Sequence, residues 1–386
     1  MPAPGLRLVR LTLTDFRNYA ALSWRPSQHI AVLSGPNGSG KTNLLEAISL
    51  LVPGRGLRNA RISDLPRRGP GARGGFAVAA RLATPSGDLD IGTGTPPDGP
   101  SDRRIFRLDG ATPRSMAEVA ARIAAVWLTP QMDRLFQEGA TGRRRFLDRL
   151  VYALEPSHAR EVAAHDTAMT SRNRLLATGA ADAAWLAGLE HAMARHAVAV
   201  AAARAALATR LNAALSAGAA APFPAAHIAV LCPIAERLSA FPALAVEDWL
   251  RATLAANRPR DAASGTAVAG AHRADMALAD AASGLPAEQA STGQQKALLI
   301  GVVLGHAALL AEARGFAPLL LLDEPTVHLD PDRRAALFAA LLRLPAQSFL
   351  TSADRDAFAP LRGQAEALRV RDGTVQPDVD FDHPNA

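Results

Sequence analysis

The segment Gly35-Pro36-Asn37-Gly38-Ser39-Gly40-Lys41-Thr42 carries the most legible chemistry in the chain. It fits GxxxxGK[ST] at every fixed position. Glycines in such a loop let backbone N–H groups turn inward around phosphate oxygens. The ammonium of Lys41 then reaches the terminal phosphates, and the Thr42 hydroxyl is placed to ligate Mg2+. A second constellation is Leu319-Leu320-Leu321-Leu322-Asp323-Glu324, an apolar run ending in two adjacent carboxylates. Asp323 is placed to hold the Mg2+ shell, and Glu324 to orient or deprotonate an attacking water. An acidic strand end that only caps a helix is the plainer alternative. A third is Ser291-Thr292-Gly293-Gln294-Gln295, ahead of a long apolar stretch. A hydroxyl and a glycine at a helix N-terminus make an anion site, and they equally make an ordinary N-cap. Together the three segments point to binding and hydrolysis of Mg-ATP.

Lysine usage sharpens this reading. Of 42 basic residues only Lys41 and Lys296 are lysines; all others are arginine. A compact, strongly hydrated ammonium suits a phosphate-cradling loop, so a chain that otherwise prefers arginine keeps lysine there for a reason. Lys296 directly follows the third segment.

The elements around these residues have the required kinds. His29–Ser34 is a short apolar run, and Thr42–Val52 is apolar at helical spacing through Leu44, Leu45, Ile48 and Leu51. Strand, glycine loop and helix therefore follow one another. Residues 5–14 alternate like an exposed-edge strand, and 76–109 read as an antiparallel meander around turn-rich PSGD and GTGTPPDGP. Residues 53–75 are rich in Gly, Pro and Arg and read as an exposed loop or lid. From Glu118 to about Ala217 the pattern turns helical and alanine-rich, without a sustained heptad. Pro318–Asp323 is a continuous apolar run of the buried parallel-sheet type. A helix is expected over Pro331–Leu342 and a strand over Ser348–Thr351. The expected fold class is α/β: an ATPase head lobe built from both chain ends (1–122 and 266–386), with a mostly helical lobe (123–265) inserted.

Composition narrows the class further. The 386 residues are 49% hydrophobic and 20% charged, which suits a globular chain rather than a disordered one. The most apolar stretch, Ala297–Ala311, is too short to span a bilayer and reads as a buried helix, so no membrane is expected. The opening MPAPGLRLVRLTLTDF lacks a secretory apolar region. One cysteine, Cys232, excludes a disulfide framework or zinc cage and reads as a small core hydrophobe. A cytoplasmic location follows as the expectation. Residues 1–150 hold 22 basic against 12 acidic residues, and the remainder is net acidic. That imbalance suits a polyanionic partner, and it equally suits scattered solubilising charge.

With these residues in hand, the chain resembles the ATP-binding-cassette ATPases. The resemblance implies that Ser291–Gln295 stands for the signature motif and that His328-Leu329-Asp330, after Asp323–Pro325, is the D-loop. It also implies that two subunits sandwich two ATP molecules. Ser291, Gly293, Gln294 and Asp330 then join Gly35–Thr42 and Asn43 in a composite nucleotide site, with Glu324, Asp323 and Lys41 catalytic. The separation of 250 positions from Lys41 to Ser291 selects the branch. Transporter subunits have a smaller insert, and the chromosome-maintenance branch inserts long coiled coils. An intermediate helical insert resembles the RecF family within the SMC-like ATPases. Leu11–Tyr19, Thr42–Ile48, Thr129-Pro130-Gln131, Gly142–Asp148, Ser171–Leu176 and Gly270–Asp275 all resemble segments of that family.

Membership implies an ATP-dependent homodimer that clamps duplex or gapped DNA and hydrolyses ATP slowly. It also implies RecR and RecO as partners, with roles in recombinational repair, fork maintenance and the SOS response. Departures from the pattern are Ala271 where proline is expected and Ala274 where an acidic residue is expected, so no chemistry is assigned to His272. No switch histidine follows the last strand; Thr351, Ser352 or Asp354 occupies its place. Gln131 is a candidate Mg2+ loop ligand, and Arg55 and Arg58 are candidates for an arginine lid or are solvated loop cations. Three clusters are DNA candidates: Arg61, Arg67 and Arg68; Arg103 and Arg104; and Arg143, Arg144 and Arg145. Few aromatics lie among them, so phosphate contact is expected rather than base stacking. Solvated faces are the plainer alternative. The rival functions are a transporter or nuclease-associated ATPase subunit and a DNA-binding protein with vestigial turnover.

Overall fold

Two sheets of different construction place the nucleotide segments. The computed structural model describes residues 5–96, 102–179 and 182–381; the GTGTPPDGP turn lies partly outside them. The first sheet is antiparallel: β1 (Arg7–Phe16), β2 (Tyr19–Trp24), β4 (Ala77–Thr84), β5 (Gly87–Gly94) and β6 (Ile105–Leu108), in the order β2-β1-β4-β5-β6. Its alternation puts Leu8, Leu11, Leu13, Val78, Leu82 and Leu89 inside. β1 was expected at an edge, but β2 and β4 pair with it on both sides. Its exposed Arg7, Arg10 and Thr14 mark a solvated sheet face rather than a free edge.

The second sheet has the order β13-β12-β3-β11-β10-β7, parallel throughout except for the edge strand β13. Its strands are β3 (Ile30–Ser34), β7 (Ala125–Leu128), β10 (Leu319–Leu322), β11 (Ser348–Ser352), β12 (Glu366–Arg371) and β13 (Thr374–Pro377). Every residue of β3, β7, β10 and β11 is buried, which is why these strands read as unbroken apolar runs. β7 is a correction to the helical reading that began at Glu118. Only α2 (Met116–Arg122) is helical there, and Ala125–Leu128 pairs in register with Leu319–Leu322. A four-residue apolar run carries no period that separates strand from helix, so the partner decides. Three helices complete the frame: α1 (Lys41–Ser49), α9 (Thr292–Arg314) and α10 (Pro331–Arg343). α9 is buried from Gln295 to Ala307, in keeping with the core-helix expectation.

The chain divides into two units. One comprises residues up to Arg134, Ala217–Ala225 and the residues from Ser291 onward; the other comprises Leu135–Ser216 and Ala226–Ala290. These boundaries differ from the expected 122/123 and 265/266. β7 belongs to the parallel sheet, whereas β9 (Asp275–Asp280) pairs antiparallel with β8 (Ala226–Leu231) inside the second unit. That second unit is otherwise helical: α3 (Ala140–Leu154), α4 (His158–Ala177), α5 (Ala183–Ser216), α6 (Pro233–Leu238), α7 (Ala243–Ala256) and α8 (Arg258–Ser264). Its core joins Met193, Ala197 and Val200 to Val246, Leu250 and Leu254, with Cys232 among them. Charges are also buried there. Arg172, fully enclosed, donates to Glu190 at 3.1 Å, to Asp261 at 2.7 Å and to the Leu254 carbonyl at 2.7 Å, which pins α4 to α5, α7 and α8.

Candidate nucleotide-binding site

The glycine loop runs from the end of β3 to the start of α1, and its shape is imposed from outside. Gly35 has φ +151°, and a Cβ there would lie 2.2 Å from the Val370 carbonyl oxygen. Gly40 has φ +116°, and a Cβ there would meet Asn18 Nδ2 at 2.5 Å and Tyr19 Oη at 2.9 Å. Those two side chains hold the loop: Asn18 Nδ2 donates to the Ser39 carbonyl at 2.9 Å and Tyr19 Oη to that of Gly40 at 3.0 Å. Lys41 Nζ donates to the carbonyls of Gly35 at 2.7 Å and Pro36 at 3.1 Å, which aims the ammonium along the loop's inner side. The Ser39 hydroxyl is buried in the same loop with no hydrogen-bond partner among the described residues. A buried hydroxyl without a partner is costly unless something else satisfies it. A phosphate oxygen fits that need.

Acidic groups stand opposite. Asp323 ends β10, and its Oδ1 accepts from Thr42 Oγ1 at 2.9 Å and from Thr351 Oγ1 at 2.6 Å. The Thr42–Asp323 pair is a hard oxygen set of the type that Mg2+ takes. Thr351 lies near the end of the neighbouring β11, so the start of α1 and the ends of two strands converge on one carboxylate. Glu324 follows in the left-handed region, φ +50°. Its N–H donates to Thr351 Oγ1 at 3.0 Å. Burial pushes the Glu324 carboxyl above the usual glutamate range, against the pull of Lys41. Burial likewise lowers Lys41, against Glu324 and Asp323. A carboxylate raised this way is a stronger base near neutral pH than an exposed one.

Behind the loop, Glu46 is fully buried on α1 and receives Arg17 at 2.7 and 2.8 Å and Arg58 at 3.3 Å. Arg58 also donates to Asn43 Oδ1 at 2.5 Å, and Asn43 Nδ2 donates to Asn18 at 2.8 Å. Of the two lid candidates, Arg58 is thus anchored beside α1, while Arg55 is exposed. An open groove of about 750 Å³ borders this network, lined by Arg17, Asn18, Asn43, Asp64, Arg67 and Arg68.

Ser291 caps α9. Its Oγ accepts from the Gln294 N–H at 3.4 Å, and Gln294 Oε1 accepts from the Ser291 N–H at 2.9 Å, forming a reciprocal capping box. Ser291, Thr292 and Gln294 are nonetheless exposed. Gly293 lies under the D-loop, where a Cβ would sit 2.8 Å from the His328 carbonyl oxygen. Asp330 caps α10 by accepting from the Arg333 N–H at 2.8 Å. Gln131 is exposed on the turn after β7, which adjoins β10.

The description "RecF/RecN/SMC N terminal domain" fits the chain over residues 7–376. The chain is 48% identical to the DNA replication and repair protein RecF of Mesorhizobium japonicum, covering 98% of this chain and 100% of that one. It is 46% identical to the same-named protein of Allorhizobium ampelinum, covering 94% and 97%. This chain belongs to the RecF family. Its fold agrees: a recombination mediator protein RecF of the RecFOR pathway, solved with ATP, matches with a TM-score of 0.82 at 21% identity over 97% of this chain and 98% of that one. The Smc head domain of Pyrococcus furiosus matches at 0.52 and 15% identity, over 96% and 95%.

Within this RecF-family chain the structure brings Gly35–Asn43, Asp323, Glu324 and Thr351 together. Thr351, proposed only as an occupant of the missing histidine's place, is bonded directly to Asp323; Asp354 is exposed. Sequence reading gave no role to Arg17, Asn18, Tyr19 or Glu46. The signal was present, since Arg17-Asn18-Tyr19 lies in a family-like segment and Glu46 is an acidic residue on the apolar face of α1.

The structure divides the arginine clusters by the partners it gives them. Arg143 makes a bidentate pair with Asp275 at 2.8 and 2.7 Å, and Arg144 donates to the Ala274 carbonyl at 2.9 Å. Arg67 is paired with Asp15 at 2.8 Å, and Arg104 lies over the Phe106 ring. Arg67, Arg143 and Arg144 thus take partners distant in the chain that local spacing did not reveal, whereas Arg104 stacks on a ring two residues away. Arg61, Arg103 and Arg145 are exposed, as is Arg68, which also pairs with Asp64 at 3.1 Å.

Proposed function

We propose that this RecF-family protein binds Mg-ATP in the Gly35–Thr42 loop, hydrolyses it slowly, and dimerises on ATP to clamp DNA. The observation that carries the reading is the convergence of Thr42, Asp323 and Thr351 beside a loop whose buried Ser39 hydroxyl has no partner among the described residues. Loop N–H groups, Lys41 and Ser39 hold the phosphates, and Asn43 and the adjoining groove accept the rest of the nucleotide. Mg2+, held by Thr42 and Asp323 with Gln131 as a further candidate, neutralises phosphate charge when bound. Glu324, raised in basicity by burial, orients and deprotonates the attacking water.

The exposed capping box at Ser291–Gln294 is an anion-binding helix start that its own chain leaves open to solvent, which suits completion by a second copy. Exposed Arg61, Arg68, Arg103 and Arg145 supply sequence-independent phosphate contacts to duplex or gapped DNA. Relatives named for DNA replication and repair, and a RecF of the RecFOR pathway, support a role with RecR and RecO in gap repair. The test is light scattering of Glu324→Gln with and without Mg-ATP, then with gapped duplex. An ATP-dependent dimer that retains DNA is expected. A monomer throughout, with no DNA retained at low salt, overturns the clamp.

A further inference from the structure

Lys296 is the one lysine that nucleotide binding does not use. It lies five residues beyond Ser291, in the second turn of α9, and is 1% exposed. Its Nζ donates to the backbone carbonyl of Glu324 at 3.0 Å and to Asp133 Oδ2 at 3.2 Å. Glu324 is a non-glycine residue at φ +50°, a conformation that persists only where surrounding contacts impose it. Both of its main-chain polar groups are held by side chains: the N–H by Thr351 Oγ1 and the carbonyl by Lys296. The two grips come from different elements, β11 and the helix that starts at Ser291.

Residue choice agrees with this geometry. An ammonium is a point charge with three donors on a flexible stem, able to serve a carbonyl and a carboxylate at once, whereas a guanidinium is a planar fork. In a chain that uses arginine at 40 positions, both lysines make the same kind of contact: Lys41 to the carbonyls of its loop and Lys296 to the carbonyl of Glu324.

We propose that Lys296 is a positioning residue. It fixes the direction of the Glu324 carboxylate by locking that residue's backbone to the helix bearing Ser291 and Gly293. Seating of this helix start on nucleotide held by a second copy is thereby felt at the chain's own Glu324. The inference rests on the ATPase-clamp reading and deepens it, because one helix then links the site it completes in trans to the carboxylate it supports in cis.

The test uses full-length protein. Lys296→Met alone leaves Asp133 without its cation, so it is paired with K296M/D133L, which replaces both members by apolar groups of similar size, a change that folded proteins commonly tolerate. Each is expected to bind a fluorescent ATP analogue as tightly as wild type, while kcat falls roughly 10- to 100-fold, the scale of a displaced catalytic group. Asp133→Asn breaks the ion pair but leaves the bond to Glu324, and kcat is expected to stay within about threefold of wild type, about 0.6 kcal/mol.

A mixed dimer separates cis from trans. One subunit carries K296M/D133L with Glu324 intact, and the other carries Glu324→Gln with Lys296 intact. The proposal predicts about half the turnover of the K296M/D133L homodimer, because Glu324→Gln silences the second site and the remaining one keeps the defect. Half of wild-type turnover overturns it, because the defect then lies in the helix supplied in trans. Wild-type kcat in K296M/D133L, or an equal loss in Asp133→Asn, overturns it too. No turnover and no ATP-dependent dimer in the wild type removes the clamp reading and this proposal together; normal wild-type turnover confines any failure to Lys296.

Discussion

The glycine loop at Gly35–Thr42 and the arginine-rich start of α3 at Gly142–Asp148 looked alike as sequence. Each is a short charged segment at a helix start, and each was assigned to an outside polyanion. Folding separates them. In the loop, the polar groups are arranged around a space: Lys41 donates to loop carbonyls, and the Ser39 hydroxyl has no partner among the described residues. In α3, the polar groups other than the exposed Arg145 are closed on themselves. Arg143 is bidentate to Asp275, Arg144 reaches the Ala274 carbonyl, and Asp148 takes Arg204 at 2.7 and 2.8 Å and His158 at 2.8 Å. A cation signals a ligand only when the fold has not already supplied its counter-charge. Asp275 stands 132 residues from Arg143, so no local window shows it.

The sharpest break of this comparison is at the loop's chemistry. Glu324→Gln is expected to retain ATP binding and to lose turnover by about 10²–10⁴-fold, the span of a general-base contribution; equal steady-state rates for mutant and wild type would remove Glu324 from catalysis. Next comes the closed network of the second unit. Arg172→Met leaves Asp261 fully buried without its cation, and a stability loss of about 3–5 kcal/mol is expected in urea unfolding. A loss below 1 kcal/mol would mean that this network contributes little. Gly40→Ala, which places a Cβ against Asn18 and Tyr19 at φ +116°, is expected to cost about 1–3 kcal/mol and to weaken nucleotide binding, read by calorimetry.

Two smaller effects sharpen it. Burial pushes the Glu324 carboxyl above the usual glutamate range, and in the proposed mechanism its ionised form acts as the base. kcat is therefore expected to be full above that raised value and to fall as pH drops through it. An acid limb at or below pH 4.5, the ordinary value, contradicts the burial argument. The smallest effect separates exposed from committed arginines. Arg145→Ala should leave the melting temperature unchanged and lower the salt slope of DNA binding by about one. Arg143→Ala should do the reverse, lowering the melting temperature with the slope intact.

Legibility followed how local each constraint was. The strand–loop–helix around Lys41 and the apolar strand before Asp323 were readable because their residue types answer to neighbours a few positions away. β7 was not, since Ala125–Leu128 has no period of its own and becomes a strand by pairing with Leu319–Leu322, almost two hundred residues later. The same holds for β1, interior because β4 closes its second side, and for the unit boundary near β9, set by pairing with β8. At the nucleotide site, Asn18 and Tyr19 lay in view without a role, because only the folded turn after β1 brings them onto the loop.

By itself the sequence determined the family and the segments suited to nucleotide chemistry: a glycine loop between strand and helix, two carboxylates after an apolar strand, and a hydroxyl and glycine at a helix start. These follow from backbone freedom at glycine and from side-chain type at fixed spacing. Tertiary structure alone decided which charges remain for partners. Pairing Arg143 with Asp275, enclosing Arg172 between Glu190 and Asp261, and gripping the Glu324 backbone with Thr351 and Lys296 all join residues distant in the chain. A buried ion must find its counter-ion wherever the fold delivers one.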